Sequence, residues 1–134
     1  MIFICLSLFS YGQKVSILKD SICYNNICYN LEELNLPTKN KKNYKKIQQT
    51  YDIFNSVIFE SPDKRINAKK DTLKKILSEN ILKESQYGFE KYKIIFNKND
   101  ILNLSVKIQS YGSPWEDIKY YCFDTDVDEE IGNA

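Results

Sequence analysis

The chain has 134 residues, of which 43% are hydrophobic, and its formal net charge is +1 at pH 7. This length is sufficient for one ordinary domain with a single buried core, and the near-neutral charge argues against a dedicated nucleic-acid-binding protein. The chain contains no histidine, which excludes Ser-His and Cys-His nucleophile systems and the common imidazole metal sites.

The N-terminal segment has the pattern of an export signal. Residues 1–12 carry no charged side chain, and their apolar run is too short to span a bilayer as a helix. Ser10 and Gly12 are small residues at the −3 and −1 positions, so the pattern predicts a signal peptide that is cut before Gln13. The segment resembles the export signals of Bacteroidetes-type bacteria. We therefore expect residues 13–134 to form a single domain that is periplasmic or secreted. A buried first strand is the alternative interpretation.

The stretch SICYNNICYN, residues 21–30, predicts a β-hairpin. Asn25 and Asn26 can adopt the positive φ angles of a two-residue turn, which places Cys23 opposite Cys28 in a non-hydrogen-bonded pair. The opposite face then carries Ile22, Tyr24, Ile27 and Tyr29. In this register the two cysteine Cα atoms lie about 4.5 Å apart, a separation that a disulfide tolerates.

The cysteine pair has several interpretations. An oxidising compartment favours a disulfide between Cys23 and Cys28. A zinc site would need four ligands, and the predicted domain offers no histidine and only one further cysteine, Cys122. A redox pair would normally be C-x-x-C at the start of a helix. Two free buried thiols remain the alternative to the disulfide, and Cys122 either stays unpaired or pairs instead with Cys23 or Cys28.

The segment after the hairpin shows no strong periodicity. We interpret residues 31–36 as a short turn or edge segment that ends at Pro37. The polar run TKNKKNYKKIQQ, residues 38–49, is a predicted solvated loop that leads into a strand with apolar residues between Ile53 and Phe59. The lysines of this run could bind an acidic surface or polymer, although a solvated face is the commoner role of such a cluster.

A helix is predicted to begin after Ser61 and to run to about Lys83. Ser61 is a preferred N-cap residue, and Pro62 and Asp63 suit the first helical turn. Apolar residues recur at near-helical spacing along this segment: Ile66, Leu73, Ile76, Leu77 and Ile81. We expect this stripe to pack against a sheet. The helix also contains Arg65, which is the only arginine among 19 cationic residues.

After Gly88, which is predicted to break the chain, the period changes from helical to strand-like. YKIIF, residues 92–96, is a predicted strand, NKND is a turn, and residues 102–109 alternate as in a half-buried antiparallel strand. YGSPWED, residues 111–117, is a predicted loop, and IKYYCFD, residues 118–124, is a third strand. The predicted fold class is therefore α+β, with one main helix packed on an antiparallel β-sheet of hairpins and an N-terminal β-hairpin.

Three segments together resemble a known envelope domain. INAKKDTLKKIL, YKIIFNKNDILNLSVKIQSYGSPWEDIKYYCFDT and EEIG, within residues 55–132, resemble the extracytoplasmic domain found in the RsiV anti-sigma factor and in the N-terminal part of the PdaC deacetylase. The resemblance implies an α+β fold in a secreted or periplasmic protein that serves as a binding or accessory module.

This chain departs from the resembled pattern at two places. Relatives often carry Gly-Gly-(Ala/Pro)-His where this chain has YGSPW, so a role of that histidine does not transfer. Relatives also usually continue well past the Phe-Asp strand, so the resemblance implies a truncated or minimal version of the domain.

The predicted loop supplies the candidate binding residues Tyr111, Trp115, Glu116 and Asp117. Trp115 is the only tryptophan of the chain, and an aromatic ring on a rigid loop can stack on a sugar ring or anchor a protein partner. The alternative is that Trp115 folds back over the sheet. Adjacent carboxylates on extended backbone point apart, which argues against a glycosidase pair formed by Glu116 and Asp117.

The C-terminal acidic segment offers only a weak metal motif. Asp124, Asp126 and Asp128 imitate the first half of a calcium loop, but Glu129 occupies the position of the required glycine. A solvated turn is the preferred interpretation. Since no Gly-rich phosphate loop or metal cluster stands out, we expect neither a metal nor a cofactor, and no catalytic residue is assigned.

These observations favour an exported, non-enzymatic binding module that recognises a cell-envelope glycan or a protein partner through the 111–117 loop and the adjoining sheet face. The alternative is an inhibitor or immunity-type protein that neutralises a secreted enzyme or toxin, which the terminal acidic residues favour. A hydrolase or deacetylase fragment is a third class, and the lack of histidine counts against it. We expect no nucleic-acid partner and no stable membrane span.

Overall fold

A computed structural model describes residues 14–37, 40–111 and 114–131 and shows an α+β fold with two antiparallel sheets. The predicted signal peptide, residues 1–12, lies outside the described residues. An N-terminal hairpin of β1 (Ser16–Tyr24) and β2 (Ile27–Asn35) is followed by helices α1 (Lys41–Gln48), α2 (Pro62–Ser78) and α3 (Leu82–Ser85). The second sheet contains β3 (Gly88–Lys98), β4 (Ile101–Ser110), β5 (Glu116–Asp124) and β6 (Glu129–Glu130), which pair in chain order.

The N-terminal hairpin has the register that the sequence predicts. Asn25 and Asn26 have φ angles of 50° and 65°, and they form the two-residue turn. Cys23 pairs with Cys28 across the strands, and the two form a disulfide with Cα atoms 4.0 Å apart. The predicted disulfide is therefore confirmed, and a disulfide is compatible with an extracellular location. The alternative pairing of Cys122 with either cysteine is wrong, because Cys122 is a free thiol on β5.

Removal of the disulfide by the double substitution Cys23→Ser/Cys28→Ser is expected to lower the free energy of unfolding by about 2 kcal/mol, because the loop that the bond closes is short. The measurement is urea unfolding followed by circular dichroism. The matched control is Cys122→Ser, which removes a free thiol and should cost less than about 0.5 kcal/mol. An equal loss in both variants would show that the bond itself contributes nothing.

Helix α2 begins as predicted but ends early. The hydroxyl of Ser61 accepts a hydrogen bond from the backbone N–H of Lys64 at 3.3 Å, and Pro62 occupies the first helical position. The helix ends at Ser78 rather than near Lys83, because Asn80 adopts a left-handed φ of 55° that no α-helix can include. Of the remaining predicted residues, only Leu82 and Lys83 are helical, and they begin the single turn of α3.

Of the three predictions between the hairpin and α2, one is partly right and two are wrong. Residues 31–35 are not a turn but continue β2, which is an edge strand of the two-stranded sheet. Residues 41–48, predicted as a solvated loop, form α1, because Tyr44 and Ile47 pack into the core. The segment from Ile53 to Phe59 forms bends and turns instead of a strand.

The turn within that last segment has a local cause. Asn55 and Ser56 have left-handed φ angles of 52° and 66°, which are incompatible with an extended strand. The carboxylate of Asp52 accepts a hydrogen bond from the backbone N–H of Ser56 at 2.5 Å and holds this turn.

Gly88 begins β3 instead of breaking the chain. A Cβ atom at this position would lie 2.5 Å from Cδ1 of Ile108, so only glycine allows the strand to approach Ile108 this closely. The predicted turn before β4 is confirmed, with Asn99 and Asp100 at φ angles of 54° and 62°. The predicted alternation on β4 is also confirmed, because Leu102, Leu104, Val106 and Ile108 are all buried.

Two apolar clusters form the interior, and the hairpin contributes to both. The first lies between α1 and the inner face of the four-stranded sheet, and it includes Val15 and Leu34 of the hairpin segment. The second lies between α2 and the hairpin and includes Ile22 and Leu31. Within the described ranges, none of the helices combines the length and apolar character that a membrane span requires.

Candidate binding site

The connection between β4 and β5 places two of the predicted binding residues at one cleft. Trp115 lies at the end of this connection and is 53% exposed, and its backbone carbonyl accepts a hydrogen bond from the N–H of Ser110 at 3.4 Å. Asp117 is the second residue of β5 and is half-buried. Gly112 and Ser113 of the predicted loop lie outside the described residues.

We call this depression the tryptophan cleft. Its volume is about 700 Å³, and its walls include Tyr51, Asp52, Gly88, Ser110, Trp115 and Asp117. Both polar and apolar residues line it, which is typical of a site that orients a ligand by hydrogen bonds and holds it by apolar contact. The volume lies within the range of small-molecule sites, about 300–1,000 Å³.

The floor of the tryptophan cleft is made by the ends of β3 and β4. Gly88 pairs with Ser110 across the two strands, and the side chain of Ile108 fills the space that a Cβ atom at Gly88 would occupy. Ser110 is 7% exposed, and its hydroxyl has no hydrogen-bond partner in the described part of the chain. A buried hydroxyl without a partner is uncommon in proteins.

Hydroxyl groups fix the wall of the cleft on the α1 side. The hydroxyl of Tyr51 donates to the backbone carbonyl of Val106 at 2.8 Å and lies 3.3 Å from that of Asp117. Burial, and then the charge of Asp117, raises the pKa of Tyr51 above its usual range. Tyr51 therefore stays a protonated donor at ordinary pH. The hydroxyl of Tyr121 forms a hydrogen bond with that of Thr50, and burial, together with Glu130, raises the pKa of Tyr121 to about 12.

Sequence reasoning did not place Thr50, Tyr51, Asp52, Gly88 or Ser110 at this site. Residues 50–52 follow a polar run without periodicity, so nothing in their neighbourhood signals a cleft wall. Ser110 continues the burial alternation of β4 but places a polar residue at an inward position. That polar residue is the one local signal that could have marked it.

The other two predicted binding residues lie elsewhere. Glu116 neighbours Asp117 on β5, and strand alternation directs its side chain to the opposite sheet face, where it is exposed. Tyr111 is 43% exposed and does not line the tryptophan cleft. The four predicted residues are therefore divided between two surfaces.

Tyr111 belongs to an aromatic group at the edge of the hairpin. Its ring centroid lies 6.2 Å from that of Tyr29 and 6.4 Å from that of Phe89. Tyr29 and Phe89 also stack on each other at 6.3 Å. A groove of about 450 Å³ runs along these three rings and also contacts Lys91.

A buried set of charges lies between the two apolar clusters, and we call it the ion-pair cluster. Arg65 contacts both carboxylate oxygens of Glu90 at 2.6 and 2.8 Å and one oxygen of Glu33 at 2.8 Å. Lys69 lies 2.7 Å from Glu33 and 3.1 Å from Glu90. The hydroxyl of Tyr92 also contacts Glu90.

The ion-pair cluster is electrically balanced and closed to solvent. The two cations and two carboxylates are each at most 5% exposed, so every charge depends on its partners. Burial alone would raise the pKa of Glu90, but the positive charges of Lys69 and Arg65 outweigh burial and lower it to about 2. The closed arrangement indicates a structural role.

In the acidic segment 124–130, carboxylates accept hydrogen bonds from backbone N–H groups. Asp124 accepts hydrogen bonds from the N–H groups of Asp126 and Val127 at 3.0 and 3.4 Å. Asp128 accepts one from the N–H of Lys42 at the start of α1, at 3.3 Å. Within residues 14–37, 40–111 and 114–131, no group of three cysteine, aspartate or glutamate side chains is arranged to hold a metal ion.

The geometry is therefore that of an open cleft with one exposed aromatic ring and several fixed polar groups. The chain matches no family model, and no curated protein is significantly similar to it.

Proposed function

We propose that this protein is an exported, non-enzymatic binding module that recognises a cell-envelope glycan through the tryptophan cleft. The observation that carries the proposal is the position of Trp115, which is 53% exposed at the rim of a cleft of about 700 Å³. Tryptophan is enriched at recognition surfaces, where its ring supplies a large apolar contact area.

The groups around Trp115 fit a sugar better than an apolar ligand. An indole ring presents an apolar face that can cover the C–H side of a sugar ring. Asp117 lines another wall of the cleft, and its carboxylate can accept hydrogen bonds from sugar hydroxyls. The carboxylate of Asp52 is partly engaged by Ser56 and has a fixed direction.

The export part of the proposal rests on sequence and on the disulfide. Residues 1–12 have the pattern of a signal peptide, and a disulfide between Cys23 and Cys28 is stable in an oxidising compartment. The resemblance of residues 55–132 to the extracytoplasmic domain of RsiV and PdaC supports a location at the cell envelope and an accessory role. The α+β fold agrees with that resemblance.

The test is titration with soluble oligosaccharide fragments of peptidoglycan, followed by isothermal calorimetry. Trp115→Ala is expected to weaken binding about 30-fold, equivalent to about 2 kcal/mol, the usual cost of removing a central aromatic anchor. Since Trp115 is the only tryptophan, quenching of its fluorescence gives a second measurement on the unchanged protein.

Tyr120→Ala is the matched control for this test. Tyr120 is 64% exposed, more than Trp115, but it does not line the tryptophan cleft, so its removal should change affinity less than twofold. Equal losses in both variants, or no binding by the unchanged protein, would contradict the proposal. Capture of one folded protein at a 1:1 ratio instead of a glycan would favour the inhibitor or immunity-type alternative.

A further inference from the structure

The outer face of the four-stranded sheet carries a group of lysines that no ion pair fully neutralises. Lys91 of β3 lies directly opposite Lys107 of β4, and Lys93 is the next residue on the same face of β3. We call these three residues the lysine face. Like charges directly opposite each other on a sheet are destabilising, so this arrangement opposes folding.

Few carboxylates compensate the lysine face. Glu32 lies 3.8 Å from Lys91, but it also accepts a hydrogen bond from the backbone N–H of Tyr92 at 3.0 Å. In the part of the chain that the structure describes, neither Lys93 nor Lys107 forms an ion pair. On β5, the residue directly opposite Lys107 is Ile118, and Tyr120 lies beyond Ser105 from Lys93; neither is charged. Glu116, on the same face, is diagonal to Lys107 and forms no ion pair with it in the described residues.

The lysine face continues into the groove lined by Tyr29, Phe89 and Tyr111. Phe89 precedes Lys91 by two residues on β3, so both side chains lie on the same sheet face, and both line the groove of about 450 Å³. A ligand that follows β3 therefore passes three aromatic rings and then the lysines. It would not touch Trp115, which lines the tryptophan cleft and not this groove.

We propose that this second surface binds an acidic polysaccharide, with sugar rings over the aromatic group and carboxylates at the lysine face. Lysine ammonium groups act as point charges, which suits carboxylates spaced along a chain. The single arginine is buried in the ion-pair cluster, so the planar forks that favour phosphate are missing from this surface. The net charge of +1 also differs from that of a nucleic-acid-binding domain.

The probe is a polygalacturonate oligomer, and its fully methyl-esterified form provides the same sugar backbone without charge. At low salt the protein is expected to bind the charged oligomer at least tenfold more tightly than the ester, and added NaCl should reduce this difference. Lys93→Gln/Lys107→Gln is expected to lose at least tenfold in affinity for the charged oligomer. The matched control is Lys64→Gln/Lys74→Gln on the exposed side of α2, which should change affinity less than twofold.

Three further measurements make the test decisive. The midpoint of thermal unfolding of Lys93→Gln/Lys107→Gln should equal or exceed that of the unchanged protein, because the substitution removes repulsion between the lysines. A lower midpoint would contradict an uncompensated lysine face. Trp115→Ala should leave binding of the charged oligomer unchanged. Equal binding of oligomer and ester, no binding of either, or tighter binding of single-stranded DNA with the same number of charges would overturn the proposal.

Discussion

Replacement of Arg65 by methionine is expected to lower the free energy of unfolding by about 3–5 kcal/mol, the usual cost of breaking a buried ion pair from one side. The substitution leaves Glu33 and Glu90 buried with only Lys69 to balance them. Because domains of this size are stable by about 5–15 kcal/mol, the loss is a large part of the total. The measurement is urea unfolding, followed by circular dichroism.

Two further variants separate charge balance from side-chain size. Lys64→Met, at the exposed neighbouring position, should cost less than about 0.5 kcal/mol. In the double variant Arg65→Met/Glu90→Met, Lys69 still pairs with Glu33, and this pair has no net charge. The double variant should therefore be more stable than Arg65→Met alone. If the double variant loses the sum of both single losses, the cluster is not electrostatically coupled.

Acidification is expected to remove roughly 3 kcal/mol of stability through Glu90 alone as the pH falls from 4.5 to about 2. The ordinary pKa of this carboxyl is 4.5, and the charges of Lys69 and Arg65 outweigh burial and lower the folded-state pKa to about 2. A lowered folded-state pKa means that the unfolded chain binds the proton first, so the stabilisation is complete above pH 4.5 and is lost as the pH falls through the folded-state value.

Two variants test whether Glu90 causes the pH dependence of stability. The slope of unfolding free energy against pH below 4.5 should become much shallower in Glu90→Gln, whatever its stability at neutral pH. Asp20→Asn is the control, because Asp20 is partly exposed and its ion pair with Lys70 is open to solvent. Its slope should remain close to that of the unchanged protein. An unchanged slope in Glu90→Gln would place the acid sensitivity elsewhere.

The parts of the fold that could be predicted depend on local chemistry. Asn25 and Asn26 determine the hairpin register through their turn geometry, so the disulfide partner follows from counting residues. Ser61 and Pro62 mark the start of α2 because capping involves only the first helical turn. The alternation on β4 is strict because one face is buried along the whole strand.

The parts that could not be predicted depend on residues far apart in the chain. Glu33 is charged and interrupts the apolar pattern of β2, yet it is buried because Arg65, 32 residues later, neutralises it. Helix α1 buries Asn43 and Gln48 beside its apolar residues, and the side chain of Gln48 bonds both backbone groups of Phe59. A hydrophobic pattern cannot show a helix face that is partly polar.

The candidate site was only half predictable for the same reason. Trp115 and Asp117 could be selected as unusual residues on a loop, but the opposite wall, with Tyr51 and Asp52, comes from a distant segment. Tyr111 is close to Trp115 in sequence but joins the aromatic group of the hairpin. The one early signal for the ion-pair cluster was Arg65, because an arginine in a lysine-rich chain marks a place where bidentate geometry matters.

The ion-pair cluster also constrains when the protein can fold during synthesis. Glu33 is made first, Arg65 follows 32 residues later, and Glu90 another 25 residues after that. The charges of the hairpin and of α2 can therefore be balanced completely only when residues 33–90 are all available. A fragment that lacks β3 would contain the hairpin and α2 but not the second carboxylate that their packing requires.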